Sequence, residues 1–160
     1  MGDFSEFSLP IRLFLRAYPW RRIDPVPWAP LHKPLARCRL SLISSGGFVL
    51  PDQVPFDASI PGGDPSFREI PSDVQVRTLI DTHRSETFDH AGLREDPNVA
   101  FPVDRVRELV ESGRIGSVNR RQLSFMGSIT APGRLMRQTA PEAVRWLLAD
   151  EVDVALLVPV

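Results

Sequence analysis

The segment Val152-Asp153-Val154-Ala155-Leu156-Leu157-Val158 directly follows a helical pattern, and that succession constrains the fold more than any other feature. Apart from Asp153 the run is wholly apolar and does not alternate. Strands of a parallel sheet have this character, because helices cover both of their faces. The preceding helix opens on Thr139-Ala140-Pro141-Glu142, which has the form of a capping box, and it turns Ala140, Ala143, Val144, Leu147 and Leu148 inward. The final strand is therefore expected to be buried on both faces.

A first strand is expected over Arg37 to Ser44, with Cys38, Leu40 and Leu42 on one face and Ile43 on the other. Ser44-Ser45-Gly46-Gly47 breaks it. Together the two strands and the intervening helices predict an α/β protein, with a Rossmann-like doubly wound and mainly parallel sheet. Pro102 to Ser112 reads as a helix lined by Val103, Val106 and Val110 and capped by Gly113. Weaker strand patterns lie near Val76 to Ile80 and Arg121 to Met126.

Sixteen prolines in 160 residues are about twice the usual frequency of ~5 %, and no repeat explains them. They punctuate loops and element ends, so a loop-rich domain follows. Five of them fall between Pro19 and Pro34, around Trp20 and Trp28, and describe an extended arm. Before it, Ser8-Leu9-Pro10 starts a helix that Tyr18-Pro19 ends. The expected organisation is an N-terminal helix with a Pro/Trp-rich arm over 1–35. An α/β domain follows over 36–160, incomplete at its C-terminus.

The net charge of −1 gives no general attraction for nucleic acid or an anionic membrane. Arg12, Arg16, Arg21 and Arg22 form a local basic cluster, either a solvated helix face or a docking surface for a partner subunit. No stretch approaches the roughly 20 apolar residues of a membrane span, and the N-terminus lacks the features of a secretion signal. The lone Cys38 cannot pair within the chain and sits on the apolar strand face, as a core residue would. Cytoplasmic location is the expectation.

Three groups of residues suggest chemistry. The Ser44–Gly47 turn combines hydroxyls with glycines that let backbone N–H groups approach an anion, although a turn of this composition also simply ends a strand. His83 and His90 can transfer protons near neutral pH. With Asp89 and Asp96 they also invite a metal reading, but the histidine spacing is not a standard one and no metal is expected. Otherwise they are surface or capping histidines. Asp64 and Arg68, in a loop rich in proline and glycine, either pair structurally or contact substrate. Ser44 and Ser45 lack the Gly-x-Ser-x-Gly setting of a hydrolase nucleophile.

Several of these blocks occur in the order of a known family. Ser44-Ser45-Gly46-Gly47 resembles its Ser-Thr-Ala-Gly turn, and Gln53 with Pro55-Phe56-Asp57 resembles the segment after it. Gly63-Asp64, Ser66, Arg68, Ile70 and Pro71 resemble a Gly-Asp-x-Ser-x-Arg-x-Ile-Pro block. His83, Asp89-His90, Asp96-Pro97-Asn98 and Phe101-Pro102 follow, then Gly113-Arg114-Ile115-Gly116, Ser124-Phe125-Met126-Gly127 and Asp153. From about Pro30 to Val160 the chain is similar to the selenoprotein B family of glycine, betaine, sarcosine and D-proline reductases.

That resemblance implies an oxidoreductase subunit acting on a small amine or amino-acid-like substrate by selenol- or thiol-dependent reductive C–N cleavage, among other reductase subunits. Within that activity His83 and His90 are the candidate proton-transfer residues, and Ser44, Ser45, Gly46, Gly47, Asp64 and Arg68 the candidate substrate contacts, beside the structural roles weighed above. In that family a selenocysteine follows the last strand. One is accordingly expected just after Val160 if the reading frame continues, the chain being cut short at a UGA codon. These 160 residues hold no cofactor or redox group of their own and are expected to be inactive alone. The alternative is a non-catalytic module for small-ligand binding or complex assembly.

Overall fold

A computed structural model describes residues 7–19, 22–85 and 88–160. Two compact units divide the chain, Met1–Pro30 and Leu31–Val160. In the first, helix α1 (Leu9–Ala17) has a proline in its opening turn and stops at Tyr18, which is extended ahead of Pro19. Trp20 and Arg21, expected in the arm and its basic cluster, lie outside the described residues.

The second unit is a mixed α/β structure around a mainly parallel sheet. Strand β1 (Arg39–Ser44) runs through its centre. It pairs in parallel with β5 (Ser117–Val118) and β6 (Arg121–Phe125) on one side and with β7 (Val154–Val158) on the other. Strand β3 (Phe67–Pro71) closes the far edge, antiparallel to β6. A second small sheet pairs β2 (Phe48–Val49) with β4 (Ile80–Asp81), antiparallel. Where β5 breaks from β6, the Leu42 amide faces a gap in the ladder. The fully buried Gln122 fills it, accepting from Leu42 N at 2.6 Å and donating to the Asn119 carbonyl at 2.5 Å.

Helix α3 (Val103–Glu111) packs Val106 on Leu40 over one face of the sheet, with Leu109, Val110, Val118 and Val154 around them. Gly113, in the left-handed region at φ 71°, lets the chain leave that helix. Beside it Leu42, Phe48, Ile70, Phe101 and Val103 are at most 1 % exposed. At about 1.5–3 kcal/mol for each large side chain fully buried, this side carries most of the hydrophobic stabilisation. Cys38 is also buried, its Sγ 3.4 Å from the Pro34 carbonyl oxygen. Helix α4 (Ala140–Ala149) lies on the opposite face, where Trp146 meets Phe67 edge-on with centroids 5.1 Å apart.

Four expectations are corrected. The strand foreseen near Val76–Ile80 is a 3₁₀ turn over Val76–Thr78 followed by the two-residue β4. In the loop-rich region between Gly47 and Val76, where no strand was foreseen, the chain forms β3, which takes its order from β6 rather than from its own apolar pattern. Thr139 does not cap α4. Its backbone is already helical, continuing a π-turn over Leu135–Thr139, and its hydroxyl donates to the Pro65 carbonyl at 2.6 Å. Strand β7 is not buried on both faces: Ala155, Leu156 and Leu157 are exposed, as are Val144 and Leu148 on α4, because β7 pairs only with β1 among the described residues. No described helix is long and apolar enough to cross a membrane.

Candidate functional site

The carboxyl ends of β1, β6 and β7 meet at the Ser44–Gly47 turn. Ser44 is fully buried, its hydroxyl donating to the Ala100 carbonyl at 2.6 Å and accepting from Gly46 N at 3.0 Å. Ser45 joins β1 to the end of β7. Its N–H donates to the Val158 carbonyl at 3.1 Å, and its hydroxyl accepts from Val160 N at 3.0 Å. Gly46 bridges to Met126, and Gly47 N donates to the Phe125 carbonyl at 2.9 Å. The N–H groups of residues 45, 46 and 47 are thus all engaged inside the protein. The turn acts here as a knot between strand ends, not as an open anion cradle.

Gly47 has φ 68°, and a Cβ there would stand 3.0 Å from the backbone of His83. The contact arises because β4 pairs with β2, and Thr82 then donates from both N (3.1 Å) and Oγ1 (2.6 Å) to the Gly47 carbonyl. His83 is 8 % exposed. Its Nδ1 accepts from Ser85 N at 3.3 Å, so the neutral ring carries its proton on Nε2. That Nε2 is buried, has no hydrogen-bond partner, and faces Gly127. Burial lowers the His83 pKa below its ordinary value; Asp81 opposes this, while His90 and Arg84 add to it.

His90 lies 6.4 Å from His83, ring to ring, with Phe88 packed against both. Its Nδ1 bonds to Asp81 Oδ2 and its Nε2 lies 3.0 Å from the Ser85 carbonyl oxygen. Both ring nitrogens therefore face acceptors, which favours the imidazolium. The hydrogen bond to Asp81 raises the His90 pKa, and the bond to Ser85 adds to it. Asp81 Oδ1 also accepts from His83 N at 2.9 Å. One carboxylate thus orders two histidines whose protonation equilibria are displaced in opposite directions. Sequence reasoning missed Asp81, whose signal was an Asp-x-His spacing with His90 close behind, and noted Gly127 only as part of a motif block, not as a neighbour of His83.

Asp89 and Asp96 do not join this group. Asp89 accepts from Gly92 N at 2.9 Å at the start of α2 (His90–Glu95), and Asp96 accepts from Asn98 N at 3.0 Å in the following turn. Among the described residues no three His, Cys, Asp or Glu side chains are grouped to hold a metal.

Asp64 and Arg68 organise a separate loop. Asp64, 5 % exposed, accepts from Asp57 N at 2.9 Å and from the Ser66 hydroxyl at 2.6 Å. Burial raises its pKa, but the bonds from Ser66 and Asp57 outweigh that and hold it below the usual carboxylate value. Arg68 donates to the carbonyls of Val54, Phe67 and Pro55 and to the Ser66 hydroxyl, and lies 4.3 Å over the Phe56 ring. Ser66 links the two residues. This loop approaches the strand ends through Gly63, which packs on Ile129.

Beside the turn, an apolar groove of about 530 Å³ opens between the strand ends and α4. Ile43, Phe125, Leu147 and Leu157 supply its walls, with Ser44 and Ser45 at one end and no charged side chain among its lining residues.

The ordered motifs, the engaged turn and the paired histidines are accompanied by a match over nearly the whole chain. Residues 9–159 match the glycine/sarcosine/betaine reductase selenoprotein B family. The chain belongs to that family. It is 31 % identical to the D-proline reductase subunit gamma of Acetoanaerobium sticklandii over 136 residues, 84 % of this chain and 54 % of that protein. It is 29 % identical to the glycine reductase complex component B subunit gamma of Peptoclostridium acidaminophilum over 154 residues, 88 % of this chain and 32 % of that subunit. The sarcosine reductase complex component B subunit beta of the same organism is 27 % identical over 123 residues. The chain spans about half of the first relative and a third or less of the other two. No solved structure matches it.

Proposed function

We propose that this member of the family is the site-building portion of a reductase-complex subunit acting on a small amine or amino-acid-like substrate, by reductive cleavage of a C–N bond. The family match over residues 9–159 carries this reading. On it, the sheet is doubly wound in the Rossmann-like manner. The flanking strands on both sides of β1 and the helices on both faces support that. Substrate then sits beyond the strand ends. His83 is the proton-handling group, a neutral ring held with Nε2–H outward from its Ser85 contact, and Asp81 with His90 positions it. Ser44 to Gly47 hold the strand ends in place, and Asp64 with Arg68 shape the neighbouring loop.

Co-expression of the chain with the other subunits of glycine, sarcosine and D-proline reductase complexes, followed by affinity capture, tests the reading. Stoichiometric recovery of one set is the expected result. Recovery of none would overturn it.

One observation favours a second role, in assembly rather than catalysis. The groove beside the turn is apolar and offers no cation to a substrate carboxylate. An amino acid titrated into the purified chain separates the two: heat and chemical-shift changes at His83 support the substrate site, and their absence supports assembly.

A further inference from the structure

Strand β7 is an edge without protection. Val154 to Val158 contain no charge, proline or bulge, and among the described residues no strand pairs with the side turned away from β1. Natural edges are usually blunted by such devices, because an open ladder is a template for another strand. The faces next to this edge are equally uncovered. Leu157 is 66 % exposed on β7, and Val144 and Leu148 are 51 % and 69 % exposed on α4. Leu157 and Val144 line the groove of about 530 Å³ that runs along the same side of the sheet. A parallel sheet is normally covered on both faces, and a continuous apolar patch of this kind marks an interaction surface.

We infer that the β7 edge and its groove seat a further parallel strand with a covering helix, contributed by polypeptide of the kind that makes up the unmatched length of the relatives. The match covers 54 % of the D-proline reductase subunit gamma, so nearly half of that protein is available to supply such elements. A second copy of this chain fits less well. Two β7 edges paired about a two-fold axis would cover each other's ladders and leave both grooves open, because the groove lies on the sheet face. The inference rests on family membership and on exposure, and not on the proposed chemistry of His83.

The test is to mix the 160-residue chain with the unmatched part of the D-proline reductase subunit gamma, expressed separately, and to follow mass and amide hydrogen exchange. A one-to-one complex is expected, with slowed exchange at Val154–Val158 and along α4. Leu157→Asp and Leu148→Asp, both at exposed positions, should keep the circular dichroism of the parent and weaken the complex by about tenfold or more each. Should the two pieces not associate in trans, the same exchange measurement is made on their covalent fusion. Unchanged exchange at β7 in the fusion would overturn the inference, as would a complex protected elsewhere or a dimer of the chain alone that protects β7.

Discussion

His83 and Gly127 are packed so closely that a Cβ on residue 127 would stand 2.5 Å from His83 Nε2 and 2.8 Å from the Ser45 carbonyl oxygen. Glycine is needed here because of its neighbours; its backbone is not in the left-handed region. Phe88 also packs against the imidazole, with centroids 4.2 Å apart, and restricts its movement. Gly127→Ala should therefore destabilise the fold by about 1–3 kcal/mol, the usual range for overpacking a filled site. Urea unfolding of the variant reads this directly, and an unchanged midpoint would show that the ring yields.

The two histidines should titrate apart. His90, raised by its bond to Asp81, contributes stability that is complete below its unfolded pKa and is lost as pH rises through its higher folded value. His83, lowered by burial, acts oppositely: stability is complete above its unfolded pKa and falls as pH drops toward the folded value. Asp81→Asn keeps an oxygen for His83 N but removes the charge beside His90. Nitrogen-15 spectra of the ring nitrogens should then show His90 titrating at lower pH, while His83 in the parent protein reports the Nε2–H form. Coincident titration of both rings in the parent would contradict the geometry.

What could be read in advance follows from where the information resides. The ends of α1 and α3 were legible because Pro10, Tyr18-Pro19 and Gly113 act within a turn of their own position. Strand β1 was legible through the spacing of Leu40 and Leu42. By contrast β3, Phe67-Arg68-Glu69-Ile70-Pro71, has no strand pattern of its own and exists because β6 supplies its ladder. The capping box at Thr139 was overridden by a helical turn already under way upstream. In the site, Ser44 and His83 could be named from residue type. That the N–H groups of the turn are engaged depends on pairings between strand ends that no local pattern encodes, whereas the role of Asp81 lay in a short Asp-x-His spacing that carries no strong signal by itself.

Asp150 should be the most sensitive carboxylate away from the turn. It lies at the opposite end of the sheet, where Arg121 donates to it from Nε at 2.5 Å and from an Nη at 2.9 Å, and Asn119 donates at 3.0 Å. Led by the bonds from Arg121, these contacts hold its pKa at about 2 despite burial. Asp150→Asn removes the nearer counter-charge of a mostly buried guanidinium, leaving it only Glu69 at 3.6 Å, and should cost on the order of 3 kcal/mol or less at neutral pH. Because the parent contribution is present above the ordinary carboxylate pKa and is lost as pH falls toward 2, the two stability curves should converge in acid. Parallel curves from pH 7 to pH 2 would exclude the ion pair as the cause.

Ser44 and Ser45 are adjacent and chemically identical, yet substitution should affect them very differently. The Ser44 hydroxyl is fully buried and serves both the Ala100 carbonyl and Gly46 N. Ser44→Ala strands those two groups away from water, and leaving a buried polar group unsatisfied costs about 1–3 kcal/mol. The Ser45 hydroxyl makes exposed bonds to Val160, where solvent can replace it. Ser45→Ala should stay within about 0.5 kcal/mol of the parent, as exposed substitutions do. Denaturant midpoints of the two variants decide between a knot at Ser44 and an open binding loop: equal small losses would mean that neither hydroxyl holds the strand ends together.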